Sequence, residues 1–543
     1  MTLPRGHFTG RAFRDWREFG LPQRLGVLAV LFALELIAVS TWIDTRAFGG
    51  SGRPAFQAVV AFAALFLTFS YLRSKLALQR ISNELVGTSI KWGLLVGHFG
   101  AMAAFAALSS FLLAEEKWGL HGNLLSKSPL LAGLLAIGLG AAAFVPPRVW
   151  LDLLRSTGTA WVYAAGATFV ALQLISRFAP LWQPATGLTF VMVRALLRPL
   201  LPDLVADPTT NEIGSREFMT TISASCSGVE GVGLILVFSV AWLWFFRREC
   251  RFPQAFLLIP AGVCVLWLLN VLRIAVLILI GNAGAASVAV GGFHSQAGWI
   301  AFNAVALGFS LTAQRVQWFT VRPRARRPEE SSAENPTAAY LTPFLAILAA
   351  AMLARAASGT FEWLYPLRFF AAAGTLWFLW PKYAKLDWNF GWVAPIVGSL
   401  VFVIWLGLDL VSGAHKDSGL ASDLAVLPAS GRFAWLAFRT LAAVVTVPIA
   451  EELAFRGFLL RRLISADFES VSMRTVTVLS ILVSSVAFGL LHGDRWLAGA
   501  AAGMLYAGAL LWRGRIGDAV VAHGVTNALI AACVLFGGKW YLW

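Results

Sequence analysis

Two sets of side chains in this sequence have the types and spacing of reacting groups. The first is Cys226 in Ser225-Cys226-Ser227-Gly228, Arg273 in Asn270-Val271-Leu272-Arg273, and His294 in Phe293-His294-Ser295. A cysteine attacks a carbonyl carbon as thiolate, which a base or a nearby cation must favour. A histidine can supply that base and then protonate the leaving amine. An arginine can hold the carbonyl oxygen as it becomes negative, or orient the thiolate. Gly228 permits a tight turn and close substrate approach, and Asn270 shares a helical face with Arg273. Each member alone has an ordinary reading: a small buried hydrophobe, a snorkelling span-end charge, a structural ring.

The second set is Glu451-Glu452-x-x-x-Arg456 directly after an apolar run, followed by Phe488-x-x-x-His492 and His523-x-x-x-Asn527. Adjacent carboxylates in a membrane segment are costly and by default suggest function. Arg456 stands four residues after Glu452, so it can pair with one carboxylate and leave the other free as a base. The later motifs each put two side chains on one helical face. The bland alternative is a buried ion pair with two histidines at the membrane edge, and three motifs in order weigh against it. Glu and His also bind zinc, so a metal mechanism is the rival. HExxH is absent, which favours a metal-free glutamate mechanism with no cofactor expected.

The elements that must position these groups are membrane helices. The chain has 543 residues, 58% of them hydrophobic and only 13% charged, where a soluble protein carries about a quarter charged. Runs at 25–42, 55–71, 229–246, 256–272 and 392–411 approach the ~20 apolar residues that a spanning helix requires. The expected fold class is an all-α polytopic membrane protein with two helical transmembrane modules and roughly fifteen spans. The first run is too long for a signal peptide and has no small-residue cleavage site behind it, so it reads as a retained span. The net charge of +15 sits in short clusters at the ends of apolar runs, the positive-inside pattern, so membrane lipids are expected as partners and nucleic acid is not. The four cysteines (Cys226, Cys250, Cys264, Cys533) show neither metal spacing nor a disulfide framework.

Residues 321–340, VRPRARRPEESSAENPTAAY, have the composition of a flexible linker. They divide the chain into modules 1–320 and 341–543, with one constellation wholly on each side. Arg5, Arg11, Arg14, Arg17 and Arg24 place the N-terminus inside. Arg73, Lys75 and Arg80, then Arg148 and Arg155, then Arg247, Arg248 and Arg251, then the linker arginines also fall inside. Glu115 and Glu116, and the loop with Asp203, Asp207, Glu212 and Glu217, fall outside, with Arg194 and Arg198 as exceptions in that long outer loop. Cys226, Arg273 at the end of its span and His294 before the last span of the module then converge on the outer face. In the second module, counting spans puts Glu452 and His523 towards the inside but His492 nearer the far side, unless a helix breaks at Pro448 or a span tilts.

The motifs SCSG, NVLRIAVLI and FHSQAGW resemble those of the exosortases, multi-span cysteine enzymes, over most of residues 20–318. The resemblance implies Cys226 as nucleophile, Arg273 as essential arginine and His294 as general acid/base. It also implies as substrates exported proteins whose C-terminus carries a short motif, a hydrophobic helix and a basic tail, with the acyl group passed to an acceptor. The later set is similar to the CPBP family of CAAX-type intramembrane proteases. That resemblance implies that Glu451 and Glu452 hold and activate a water, that His492 assists, and that His523 and Asn527 stabilise the oxyanion. Both in one chain, in this order, resemble the exosortase E/protease fusion type of the VPEID-CTERM system, which implies a bacterial inner membrane with the cysteine site at its periplasmic face. The rivals are a transporter, which would show inverted repeats or paired broken helices, and a scaffold whose inactive protease module only binds the substrate helix.

Overall fold

The structure is a computed structural model, and it describes residues 20–21, 24–28, 31–32, 35, 80–114, 124–159, 161–166, 168–169, 182–223, 228–321, 335–412 and 419–543. Among these, six helices are long and apolar enough to cross a membrane, or seven if one bent pair counts as a span, and three more apolar helices are shorter. The chain is a multi-pass, all-α membrane protein, as its composition requires. The run at 55–71, the acidic pair Glu115–Glu116 and Cys226 lie outside the described residues.

By contacts the chain parts into two compact units, and the parting does not follow the linker. The first unit comprises Met1–Phe178 with Leu463–Ala466 and Thr475–Ala487. Its main helices are α1 (Trp92–Ala114), α2 (Leu124–Phe144) and α3 (Pro147–Thr157). Pro146 and Pro147 break the path, and α3 turns 90° from the preceding helix. Arg148, Asp152 and Arg155 are exposed on α3 while Leu153 and Thr157 are buried, the pattern of a helix lying in the membrane interface. Arg24, one of the arginines expected to place the N-terminus inside, is fully buried. Its guanidinium donates to the carbonyls of Phe144, Leu85 and Thr88, so it caps chain ends that have no helical partner of their own. Nearby His98, also fully buried, meets the Ala136 carbonyl at 2.8 Å and Glu35 at 2.5 Å.

The second unit holds Ala179–Arg462, Asp467–Arg474 and Phe488–Trp543. It begins with α4 (Trp182–Leu197), whose last turn carries Arg194. That arginine is therefore on a helix, and not in the long loop where its charge was an exception. A three-stranded antiparallel sheet follows, β1 (Val205–Asp207), β2 (Glu212–Gly214) and β3 (Met219–Thr221). The strands are too short to leave a period in the sequence. Asp203, Asp207, Glu212 and Glu217 are all exposed there.

Three helices then build one end of the unit: α5 (Val229–Phe245), α6 (Leu258–Asn282) and α7 (His294–Arg315). The run expected to end at Arg273 continues nine residues further, so Arg273 lies inside α6. The physical reason is that residues 274–280 are wholly apolar, and one arginine with a polar place to point does not end a helix. The basic stretch after α5 is tied to the chain that follows α7, through Arg251 N to Phe319 O at 2.8 Å and Val321 N to Glu249 O at 2.9 Å. The ends of α5 and α7 therefore lie side by side, with the starts of both helices at their other ends.

Residues 322–334 of the linker fall outside the description. Its last residues are not linker but helix: α8 runs Pro336–Ala356. Asn335 caps it, its side chain accepting from Ala338 N, and Pro336 occupies the first turn, where a missing N–H costs nothing. Then come α9 (Pro366–Tyr383), α10 (Val393–Ser412), α11 (Ala429–Arg462), α12 (Val478–Leu490), α13 (Trp496–Arg513) and α14 (Ile516–Leu535).

Candidate active sites

The glutamate set lies on α11, which is α-helical except for two π turns, Ala442–Thr446 and Leu453–Leu459. The first answers Pro448. A proline lacks the N–H for the ladder and crowds the carbonyl four residues back. The widened turn takes up that crowding and the helix does not break there. The carbonyl five residues before Pro448, that of Ala443, receives instead the Asn527 side-chain N–H at 2.8 Å. The second π turn begins directly after Glu452 and carries Arg456, and π turns of this kind cluster at functional sites.

Glu452 is fully buried and Arg456 is 1% exposed. Arg456 grips the carboxylate with two nitrogens, Nη1 to Oε1 at 3.2 Å and Nε to Oε2 at 3.1 Å. The Nε approach is an ion-pair contact off the hydrogen-bond direction, since neither atom completes a hydrogen bond. Its Nη2 donates to the Gly503 carbonyl at 2.8 Å, and the guanidinium lies over the Phe488 ring at 4.5 Å. Both terminal nitrogens of the fork thus have hydrogen-bond acceptors, and the charge is matched by the carboxylate beside it.

His523, on α14, stands between the two carboxylates. Its Nδ1 is 3.0 Å from Glu452 Oε1, and its Nε2 is 3.9 Å from Glu451 Oε2. Glu451 Oε2 is buried without a hydrogen-bond partner within the protein. Tyr506 stacks flat on the His523 ring, 4.9 Å between centroids and 16° between planes, and Phe488 meets it edge-on at 5.6 Å. Those two aromatics fix the ring plane while Glu452 fixes which nitrogen faces inward. The sequence reading did not single out Tyr506. Its signal would have been its place seven residues after Gly499, a small residue whose bare backbone lets α13 approach Gly489 and His492 closely.

His492 joins this cluster, against the span count that put it nearer the far side. Its ring lies 5.0 Å from Phe488, the same side chain that touches His523, and its Nδ1 is 2.9 Å from the Phe488 carbonyl. The count failed because α12 has only 13 residues, about 20 Å of helix against a hydrocarbon core of ~30 Å. The chain also turns back at once. A Cβ on Gly489 would sit 2.4 Å from the Trp496 carbonyl, so the bare backbone is what lets α13 return so tightly. Arg495 then anchors the turn by donating to Asp409 at 2.8 Å and to the Tyr541 carbonyl at 2.9 Å.

Residues 432–529 match the family described as Type II CAAX prenyl endopeptidase Rce1-like. No curated protein and no solved structure matches the chain. The matched stretch contains all six residues of the glutamate set and none of the cysteine set. This part of the chain is a membrane endopeptidase module of the CAAX-protease kind.

The cysteine set has its own place. A cavity of about 280 Å³ is lined by Gly228, Asn270, Arg273, His294, Ser295 and Trp299, among others. Gly228 starts α5 with φ of 89°, a backbone that side-chain-bearing residues rarely adopt. A Cβ there would also meet the Asn270 amide nitrogen at 2.8 Å. Arg273 Nη1 lies 2.9 Å from where a Cβ on Gly298 would be, so the guanidinium rests against α7 one turn beyond His294. Three segments far apart in sequence thus bring Arg273, His294 and the glycine of SCSG to one cavity. Cys226 itself, two residues before Gly228, is outside the described residues.

Proposed function

We propose that the protein is a membrane protease with two reaction centres. The C-terminal centre is a glutamate-type intramembrane endopeptidase, and the observation that carries this is His523 held between Glu452 and Glu451. Glu452 and Arg456 position the histidine and do not react. Glu451, with an unengaged oxygen, takes a proton from water as the water oxygen bonds to the scissile carbonyl carbon. His523, as an imidazolium between the two carboxylates, donates from Nε2 to the developing oxyanion. His492, whose Nδ1–H is spent on the Phe488 carbonyl, accepts a hydrogen bond from the water through Nε2. The proton taken by Glu451 passes to the departing amine as the C–N bond breaks. Asn527 supports the centre by holding the Ala443 carbonyl of the glutamate helix. Among the described residues no three His, Cys, Asp or Glu side chains are grouped as metal ligands; zinc dependence is a separate question, answered by chelation.

The N-terminal centre is a cysteine protease and transpeptidase, with Cys226 as nucleophile, His294 as acid/base and Arg273 as oxyanion or thiolate partner. What supports it is the cavity shared by Gly228, Arg273 and His294. Its substrates are exported proteins ending in a short motif, a hydrophobic helix and a basic tail. Its membrane is a bacterial inner membrane, with the cavity at the periplasmic face. The experiment is purification in mild detergent and incubation with two substrates, a sorting-signal protein and a transmembrane peptide. Cys226→Ala removes only the first cleavage and Glu451→Gln removes the second. Retention of both cleavages by the paired variant would exclude a proteolytic role for either set.

A further inference from the structure

His294 reaches its cavity on a segment whose backbone is pressed against the chain beyond the linker. The π turn Ala289–Phe293 leads directly into His294. Within it, a Cβ on Gly292 would lie 1.7 Å from the Arg355 carbonyl oxygen and 2.4 Å from that of Ser358. Those are the distances of backbone on backbone, with no room for any side chain. The contact is reciprocal, because a Cβ on Gly359 would lie 2.6 Å from Ser287 Oγ. Three turns of chain therefore meet through glycines on both sides, and α7 packs on α8 beside them.

The receiving loop, residues 355–359, is itself firm. Ala357 N donates to Leu353 O at 3.1 Å, Ser358 N to Arg355 O at 3.0 Å, and Ser358 Oγ to Ala354 O at 2.6 Å. Trp363 Nε1 clasps the Ala357 carbonyl at 3.0 Å. A π turn is the softer partner, since its geometry is rare and persists where surroundings impose it. Its register decides where the first residue of α7 lands, and a displacement of about 1 Å at a catalytic group costs on the order of 10²-fold in rate.

We propose that residues 355–359 of the C-terminal part position His294 through Gly292, so that the cysteine centre is complete only when the two sides of the linker are docked. The inference rests on the reading of Cys226 and His294 as reacting groups. Gly292, Ser287 and Gly359 are positioning residues, since none of them lines the cavity.

The test uses the full chain. Gly292→Ala should lower sorting-signal cleavage at least tenfold, with proteolysis at the glutamate centre within twofold of normal. Gly359→Ala should do the same, and Ser287→Gly, which clears the space that the new methyl needs, should restore most of the loss. The pH midpoint of Cys226 alkylation by iodoacetamide should rise in Gly292→Ala towards that of a free thiol, as it should in His294→Ala. Normal cleavage and an unchanged midpoint in Gly292→Ala would overturn the proposal. Undiminished cleavage by Cys226→Ala would instead overturn the reading beneath it, so the two failures are distinguishable.

Discussion

Glu451→Gln and Glu452→Gln make the same atomic change at neighbouring positions, and the structure assigns them opposite consequences. Glu452 is fully buried and holds both Arg456 and His523. Losing its charge leaves the Arg456 guanidinium, itself 1% exposed, with the Gly503 carbonyl and two ring faces as remaining partners. Removing one member of a buried ion pair typically costs ~3–5 kcal/mol, a large part of the ~5–15 kcal/mol that separates folded from unfolded protein. Glu452→Gln should therefore unfold at distinctly lower temperature or denaturant. Adding Arg456→Met should recover much of the loss, because the stranded charge is gone. Activity should stay low in both, since His523 has lost its orienting partner.

Glu451 differs because its Oε2 has no hydrogen-bond partner and its charge no arginine clamp. Glu451→Gln keeps shape and volume and removes only the basicity. Its stability should fall far less than that of Glu452→Gln, because no buried arginine loses its counter-charge. Turnover should fall by about 10²–10⁴-fold, the usual contribution of a positioned base. The measurements are denaturant unfolding in mild detergent and cleavage of a fluorogenic transmembrane peptide under single-turnover conditions. Should Glu451→Gln cleave within a few-fold of normal while Glu452→Gln is fully stable and dead, the assigned roles are reversed and the argument from burial is wrong.

At the cysteine centre, Cys226→Ala should abolish processing of sorting substrates at normal membrane abundance, read by immunoblot. Arg273→Lys should be nearly as damaging as Arg273→Ala, since lysine keeps the charge and loses the planar fork; near-normal processing by the Lys variant would leave charge as the only requirement. A membrane-impermeant thiol reagent added to spheroplasts should label Cys226 and not Cys250, which is buried at the other end of α5. Labelling of Cys226 only in inverted vesicles would invert the topology. Chelators should leave cleavage of the transmembrane peptide unchanged, and inhibition that added zinc reverses would replace the glutamate mechanism with a metal one.

What the sequence made legible is what depends on neighbours in the chain. Glu452 and Arg456 are four residues apart on one helix, and they pair as that spacing implies. Asn270 and Arg273 are three apart and line one cavity. Apolar runs become helices because backbone polar groups in a membrane must bond internally. What was hidden depends on the partner that a residue finds across the fold. Arg24 has the same local context as the other N-terminal arginines, yet three carbonyls from distant segments bury it. Arg273 reads as a span end because charge commonly marks one, and only the cavity beside it explains how α6 continues. His492 was misplaced because counting treats every apolar run as a full crossing, whereas α12 is too short to be one. Pro448 presents the same ambiguity in reverse. The residue type allows a break or an accommodated helix, and the choice is made some eighty residues later, where Asn527 supplies the hydrogen bond that the proline cannot. A site built from such long-range substitutions shows its reacting groups in the sequence long before it shows their supports.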